Sequence, residues 1–291
     1  MIGSRPWLQS NWDWRAAGNF IFGGAGVGLF VAAALAAGSG AAASAPLLCG
    51  MGLIALGLAL VWTELGRPMR FINVLRHPAR SWMSREAIAA IVFFALAIGA
   101  LATGSAPVLW AACVAALAFL YCQARMLQGG KGIPAWRVQA SVPLLILTGL
   151  TEGLGLYFLL QIAFFGPLPA AAPPVWVLAL LLALRLAIWR SYCASLKEGA
   201  PQGTMDMMAG AAPWFAALGH GLPLLALAAV LALPDLGGVL VALAGLLAFA
   251  SGWWIKFVIV VRAAFNQGYA IAFTPARGPG GSRVAEKSGW N

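Results

Sequence analysis

Charge is what this chain has least of. Only 9% of its 291 residues are Asp, Glu, Lys or Arg, against roughly 25% in soluble domains, so it cannot coat a water-facing surface. Histidine is almost missing, with His77 and His220 alone. A membrane b-type haem takes two imidazoles within the spans, and only His220 falls in an apolar run, so the chain is expected to hold no haem. The four cysteines, Cys49, Cys113, Cys122 and Cys193, are scattered and form no C-x-x-C pair. That spacing argues against an iron–sulfur cluster or a metal site, which need thiolates grouped in space. No soluble-domain-sized polar segment exists between the apolar runs, so no extramembrane domain is expected.

What the chain has instead is apolar length. Hydrophobic residues make up 62% of it, in runs of about 18 to 26 residues, each long enough to cross ~30 Å of hydrocarbon as a helix. Open sheets are excluded there because lipid offers backbone groups no partners. Eight spans are predicted, over 16–38, 45–64, 86–103, 106–124, 141–165, 173–194, 212–233 and 237–262. The fold class is therefore an all-α integral membrane protein of eight transmembrane helices, read as two four-helix bundles, with a polar tail over 263–291. Met1–Arg15, with Trp7, Trp12, Trp14 and Asp13, does not read as a cleaved signal. Its tryptophans suit the bilayer interface.

The net charge of +10 could suggest nucleic acid, but its distribution points to membrane topology. Of eighteen Lys and Arg, sixteen lie in or beside the termini and the loops after spans two, four and six. The connections on the other side carry none. With an even number of spans these residues share one face, which the positive-inside rule makes cytoplasmic, and both termini with it. The expected location is a bacterial inner membrane.

Ionisable groups inside a span cost at least ~2.5 kcal/mol each at the bilayer centre and are functional candidates by default. Here they are Glu64 at the end of span two, Glu86 at the start of span three, and deeper Glu152, Arg185, His220 and Lys256. Counting ~1.5 Å per residue places Arg185, His220 and Lys256 roughly 9–14 Å from the cytoplasmic ends and Glu152 about 16 Å. Glu152, Arg185 and Lys256 form an intramembrane charge set, as a helix-to-helix ion pair or as the core of a secondary transporter. Lys256 alternatively snorkels to the headgroups, and His220 alternatively serves as a hydrogen-bonded helix contact. Glu64 and Glu86 flank one loop with Arg67, Arg70 and Arg85. At that interface a carboxylate can exchange protons with water while touching a lipid-soluble headgroup.

The segment Glu64-Leu-Gly-Arg-Pro-Met-Arg70, followed by Ser81-Trp-Met-Ser-Arg-Glu86, resembles the membrane anchor subunits of the dimethyl sulfoxide reductase family. The polysulfide and nitrite reductase anchors are more distant relatives. Arg125 to Trp136, ending in Gly-Ile-Pro-Ala-Trp, and Arg262-Ala-Ala-Phe-Asn-Gln-Gly268 extend the likeness over nearly the whole chain. The resemblance implies a complex with a molybdopterin (Mo or W) catalytic subunit and a four-cluster iron–sulfur subunit, and an anchor that binds menaquinone or ubiquinone without a cofactor of its own. The family's quinol-binding glutamate falls on Glu86; its important histidine falls on Glu64, a departure that removes the imidazole's role. By analogy with the polysulfide enzyme, Asn19 and Tyr121 are candidate partners of a quinone carbonyl. Arg67, Arg70 and His220 complete the candidate quinone set. Arg76, Arg80, Arg85, Arg125, Lys131 and Arg137 are the candidate docking surface for soluble subunits. A cytoplasmic catalytic module points among relatives to the phenylacetyl-coenzyme A:acceptor oxidoreductase type. Two other readings stay open: a purely structural anchor, and the transporter.

Overall fold

The structure is a computed structural model that describes residues 5–38, 44–64, 68–166 and 172–268. Eight helical segments are long and apolar enough to cross a membrane, and among the described residues there is no β-strand, only an isolated bridge between Leu8 and Phe265. The chain is an all-α, multi-pass membrane protein.

The first half comprises α1 (Trp14–Gly38), α2 (Ser44–Glu64), α3 (Trp82–Thr103) and α4 (Ala106–Gln128). A 3-10 helix over Pro68–Arg76 joins α2 to α3. The start of α3 is fixed by Ser81, whose hydroxyl accepts from the Ser84 N–H at 3.3 Å, satisfying one of the orphan donors of a helix start. It ends at Gly104, in the left-handed region with φ 65°, a conformation that a Cβ would oppose. In the second half the single turn α5 (Pro134–Arg137) precedes α6 (Ser141–Phe165) and α7 (Pro173–Leu196). The seventh crossing is α8 (Gln202–Ala216), a π-turn over Ala217–Gly221 and α9 (Leu222–Ala232) in one run. The eighth is α10 (Gly237–Phe257), continued by a second π-turn over Val258–Arg262.

The predicted spans fit these helices except at the seventh crossing, which begins at Gln202 and not near residue 212. The polar Gln202, Thr204 and Asp206 lower the hydropathy of that segment, but outside hydrocarbon a helix needs no apolarity. The consequence is depth. Arg185 lies eleven residues from the end of α7, ~16 Å in, and His220 meets it there, so both sit nearer the middle of the bundle than the sequence count placed them.

The two halves meet along α1 and α6, which touch through glycines. A Cβ on Gly28 would stand 3.0 Å from the Gly153 Cα, and one on Gly149 3.0 Å from the Gly24 Cα. In lipid, where apolar burial gains little, such small-residue seams let backbones pack by dispersion and polar contacts. Gly155 and Gly245 repeat the device between α6 and α10. The segments before α1 and after the last π-turn are tied together: the Asn266 N–H donates to the Trp7 carbonyl at 3.0 Å, and the Trp7 N–H donates to Asn266 Oδ1 at 3.2 Å. The N- and C-terminal segments therefore lie at one end of the bundle, which also carries the basic connections; we call it the basic end.

Candidate functional site

Three polar side chains on different helices converge a short way in from the basic end. Asn19 is five residues into α1, Glu86 four into α3 and Gln123 five from the end of α4, so all three lie ~6–8 Å deep. Asn19 Nδ2 donates to Glu86 Oε1 at 3.0 Å. Gln123 Nε2 donates to the Asn19 backbone carbonyl at 2.9 Å and reaches the same Glu86 oxygen at 3.4 Å. Asn19 and Gln123 are 1% exposed and Glu86 6%. Glu86 thus faces the bundle interior, not the aqueous interface its place at the start of span three suggested. Ser84 and Glu86 on the buried face of α3, against the exposed Met83, fix this orientation. Gly23 makes the approach possible, since a Cβ there would lie 2.5 Å from Gln123 Nε2.

Beside Asn19 opens a cavity of about 110 Å³, half closed, lined by Trp12, Ala16, Asn19, Phe20, Val61, Glu64, Met83 and Met126. Its walls are apolar apart from the Glu64 carboxylate and the Asn19 amide. Asn19 Oδ1 is buried and has no hydrogen-bond partner, an acceptor whose desolvation nothing offsets. The rim is braced. Trp12 is gripped by Gln9, which donates to its carbonyl at 2.7 Å and accepts its N–H at 2.8 Å, and it stacks on Trp136 at 4.7 Å. Arg15 pairs with Asp13 at 2.8 Å and donates to the Thr63 carbonyl at 3.2 Å, tying the start of α1 to the end of α2. The hydrogen bond and charge of that guanidinium hold the Asp13 carboxyl below the usual carboxylate range.

A second node lies across α1. Lys256 Nζ donates to Glu152 Oε2 at 2.5 Å and to the Phe20 carbonyl at 2.9 Å. Both side chains are sealed, at 1% and 0% exposure. Lys256 therefore does not snorkel, and of its two possible partners Glu152 takes Lys256. Asn19 and Phe20 are consecutive, and their carbonyls receive Gln123 from α4 and Lys256 from α10. The helical partners of those carbonyls are at Gly23 and Gly24, whose missing side chains leave room; a Cβ on Gly24 would meet Lys256 Nζ at 2.5 Å. Glu152 Oε1 and Thr148 Oγ1, one turn apart on α6, are buried without partners.

Arg185 belongs to a third group. It donates from Nε to His220 Nε2 at 3.2 Å, and from its terminal nitrogens to the carbonyls of Gly219 at 2.5 Å and Ala248 at 3.3 Å. A guanidinium only donates, so His220 Nε2 is an acceptor and the ring is the neutral tautomer with its proton on Nδ1, directed to the Phe215 carbonyl at 2.9 Å. The Gly219 carbonyl belongs to the π-turn and the Ala248 carbonyl to α10.

The candidate quinone residues are thus divided. Asn19, Glu64 and Glu86 come together, while His220 is deep beside Arg185. Tyr121 is 43% exposed and packs edge-on to Trp82 on the outside of α4, because the helical turn that buries Gln123 directs residue 121 outward. Arg67 lies outside the described residues, as does the side chain of Arg70. Arg76, Arg80, Lys131 and Arg137 are exposed; Arg85 and Arg125 are half-buried against Trp82. Gln123 was not singled out from the sequence, although an amide inside an apolar run was a signal that could have found it. Among the described residues no three His, Cys, Asp or Glu side chains are grouped to hold a metal ion. No protein-family model matches the chain, and no curated protein matches its sequence.

Proposed function

We propose that the chain is the quinone-reactive membrane anchor of a molybdopterin-type oxidoreductase, exchanging electrons between an iron–sulfur partner subunit and the membrane quinone pool. The observation that carries this reading is the buried orphan acceptor Asn19 Oδ1, on a residue that lines a half-closed apolar cavity together with Glu64 and is hydrogen-bonded to the Glu86 carboxylate. A quinol hydroxyl is a donor of the right kind for that oxygen. Oxidation of a quinol releases two electrons and two protons. The electrons pass to or from the docked iron–sulfur subunit. The protons need carboxylates within reach, and Glu86, bonded to Asn19, and Glu64, on the cavity lining, supply them. The apolar walls at Val61, Met83 and Met126 suit a ring carried on an isoprenoid tail.

The positive-inside rule places the basic end in the cytoplasm, with docking through the exposed Arg76, Arg80, Lys131 and Arg137. The substrate of the catalytic module is then cytoplasmic, and an acyl-coenzyme A such as phenylacetyl-coenzyme A is the candidate. One observation favours a transporter instead, the sealed Glu152–Lys256 pair with its unpartnered Oε1. That pair lines neither the cavity beside Asn19 nor the one between Trp214, Leu218, Leu247 and Trp254.

The test is gentle detergent purification through a tag on this chain, with protein identification and metal analysis. Molybdenum or tungsten co-purifying with iron and two soluble subunits is the expected result. A metal-free chain with no partner in several mild detergents, catalysing solute flux in proteoliposomes, would overturn the anchor reading.

A further inference from the structure

Two guanidiniums at the basic end crowd one indole. The Arg85 Cζ lies 4.2 Å and the Arg125 Cζ 4.9 Å from the centroid of the Trp82 ring, so the cations stand no farther apart than the sum of those distances. Neither has a carboxylate partner; the ion pairs among the described residues are Asp13–Arg15 and Glu152–Lys256. Arg85 is locked in place, its Nε donating to the Pro78 carbonyl at 2.7 Å and one terminal nitrogen to the Ala79 carbonyl at 2.9 Å. Arg125 Nε is buried with no hydrogen-bond partner. The terminal nitrogens of Arg125 and the remaining one of Arg85 make no hydrogen bond among the described residues and are not sealed, so two guanidiniums beside one indole offer donors to an anion with several oxygens.

The rest of the surroundings select the anion's carrier. Arg125 is in the last turn of α4 and Trp82 opens α3, which is headgroup level. Tyr121, one turn deeper, is exposed at 43%, and Leu117 and Val114 continue the same outward stripe at 39% and 68%. From Val114 to Arg125 the stripe rises eleven residues, ~16 Å, about one leaflet of hydrocarbon. A subunit docked on the basic end would not reach down this side, whereas an acyl chain runs along it. We infer that Arg85, Arg125, Trp82 and Tyr121 form a binding site for the phosphate of an anionic phospholipid, whose tail lies along the outward face of α4. A zwitterionic lipid carries its own ammonium to its phosphate and competes with the guanidiniums, so net-negative headgroups are preferred. This site is independent of the quinone reading.

The test is native mass spectrometry of the full chain in mild detergent, titrated with phosphatidylglycerol, with phosphatidylcholine, and with inorganic phosphate as competitor. Phosphatidylglycerol should bind more tightly than phosphatidylcholine and resist displacement by phosphate. Arg85→Gln/Arg125→Gln should weaken it about tenfold or more, the loss of charge-assisted hydrogen bonds. Arg190→Gln/Lys197→Gln, an equal charge loss at the same end, should leave it within about twofold. Equal loss in both double variants, equal affinity for the two lipids, or displacement by inorganic phosphate would overturn the site. So would loss of soluble partners in place of lipid. If the arginine variant does not fold, phosphatidylglycerol with a photoreactive acyl chain on the unaltered protein decides. Labelling should concentrate on Val114–Tyr121, and labelling spread evenly over all outward helix faces contradicts the proposal.

Discussion

Asn19 and Phe20 occupy one turn of α1, yet their carbonyls serve two separate polar nodes. This follows from residue chemistry. A carbonyl oxygen has two lone pairs, one taken by the helix and one free, and the glycines at 23 and 24 let a side-chain donor reach the second. The Glu152–Lys256 pair is then a sealed charge pair whose halves depend on each other. Lys256→Met should destabilise the protein by about 3–5 kcal/mol, because it leaves Glu152 uncompensated in a site of low dielectric. The double variant Lys256→Met/Glu152→Leu should recover most of that loss. Thermal unfolding in a fixed detergent checks both, and a double variant no better than the single one would show that the pair is not the cause. Residue roles were partly legible in the sequence: charge in an apolar run marks Glu152, Arg185 and Lys256 without saying which pair forms. Arg185 and Lys256 are both within plausible reach of Glu152 by sequence. Only the packing of α10 on α6 gives Lys256 the contact, while Arg185 turns to His220 and to the carbonyls of Gly219 in the π-turn and Ala248 on α10.

At the scale of elements, run length and composition determine the crossings, because hydrocarbon thickness sets how much apolar helix is needed. Helix ends outside the lipid follow capping and propensity, which hydropathy does not report, and this is why α8 begins at Gln202. The pairing of α1 with α6 follows from Gly24 and Gly28 against Gly149 and Gly153. The four-residue spacing was present in the chain, but spacing alone does not name a partner helix. Gly28→Val should lower stability by about 2 kcal/mol or more, since its Cβ would press on the backbone of α6. A matching loss is expected for Gly149→Val, whereas Gly52→Val, with open space around the glycine, should be near neutral. Unfolding midpoints of the three variants compare them directly. Equal effects at Gly28 and Gly52 would contradict the seam.

For the whole molecule, the segments before α1 and after the last π-turn lie at one end because Trp7 and Asn266 bond to each other. Which compartment that end faces is set by the charge distribution. Reporter fusions that are active only in the cytoplasm, placed at the N-terminus and after the last helix, should both be active; opposite signals would contradict the eight-crossing topology. The candidate site is equally a product of the whole assembly, since its cavity draws residues from the N-terminal segment and four helices. The sequence resemblance brought Glu64, Glu86 and Asn19 to attention, and the fold sets Asn19 between the two carboxylates. Tyr121, named by analogy, faces outward while Gln123 faces the Asn19–Glu86 unit, because a shift of two positions on a helix turns a side chain by more than half a circle.

The measurement that most directly tests the proposed quinone site is the turnover of the proposed complex, assembled with Glu86→Gln and assayed in parallel with quinone and with a soluble dye. Gln keeps the hydrogen-bonding shape but holds no exchangeable acid proton. Quinone turnover should fall about a hundredfold or more while dye turnover and subunit composition stay unchanged. Undiminished quinone turnover in the intact complex would contradict the role assigned to Glu86.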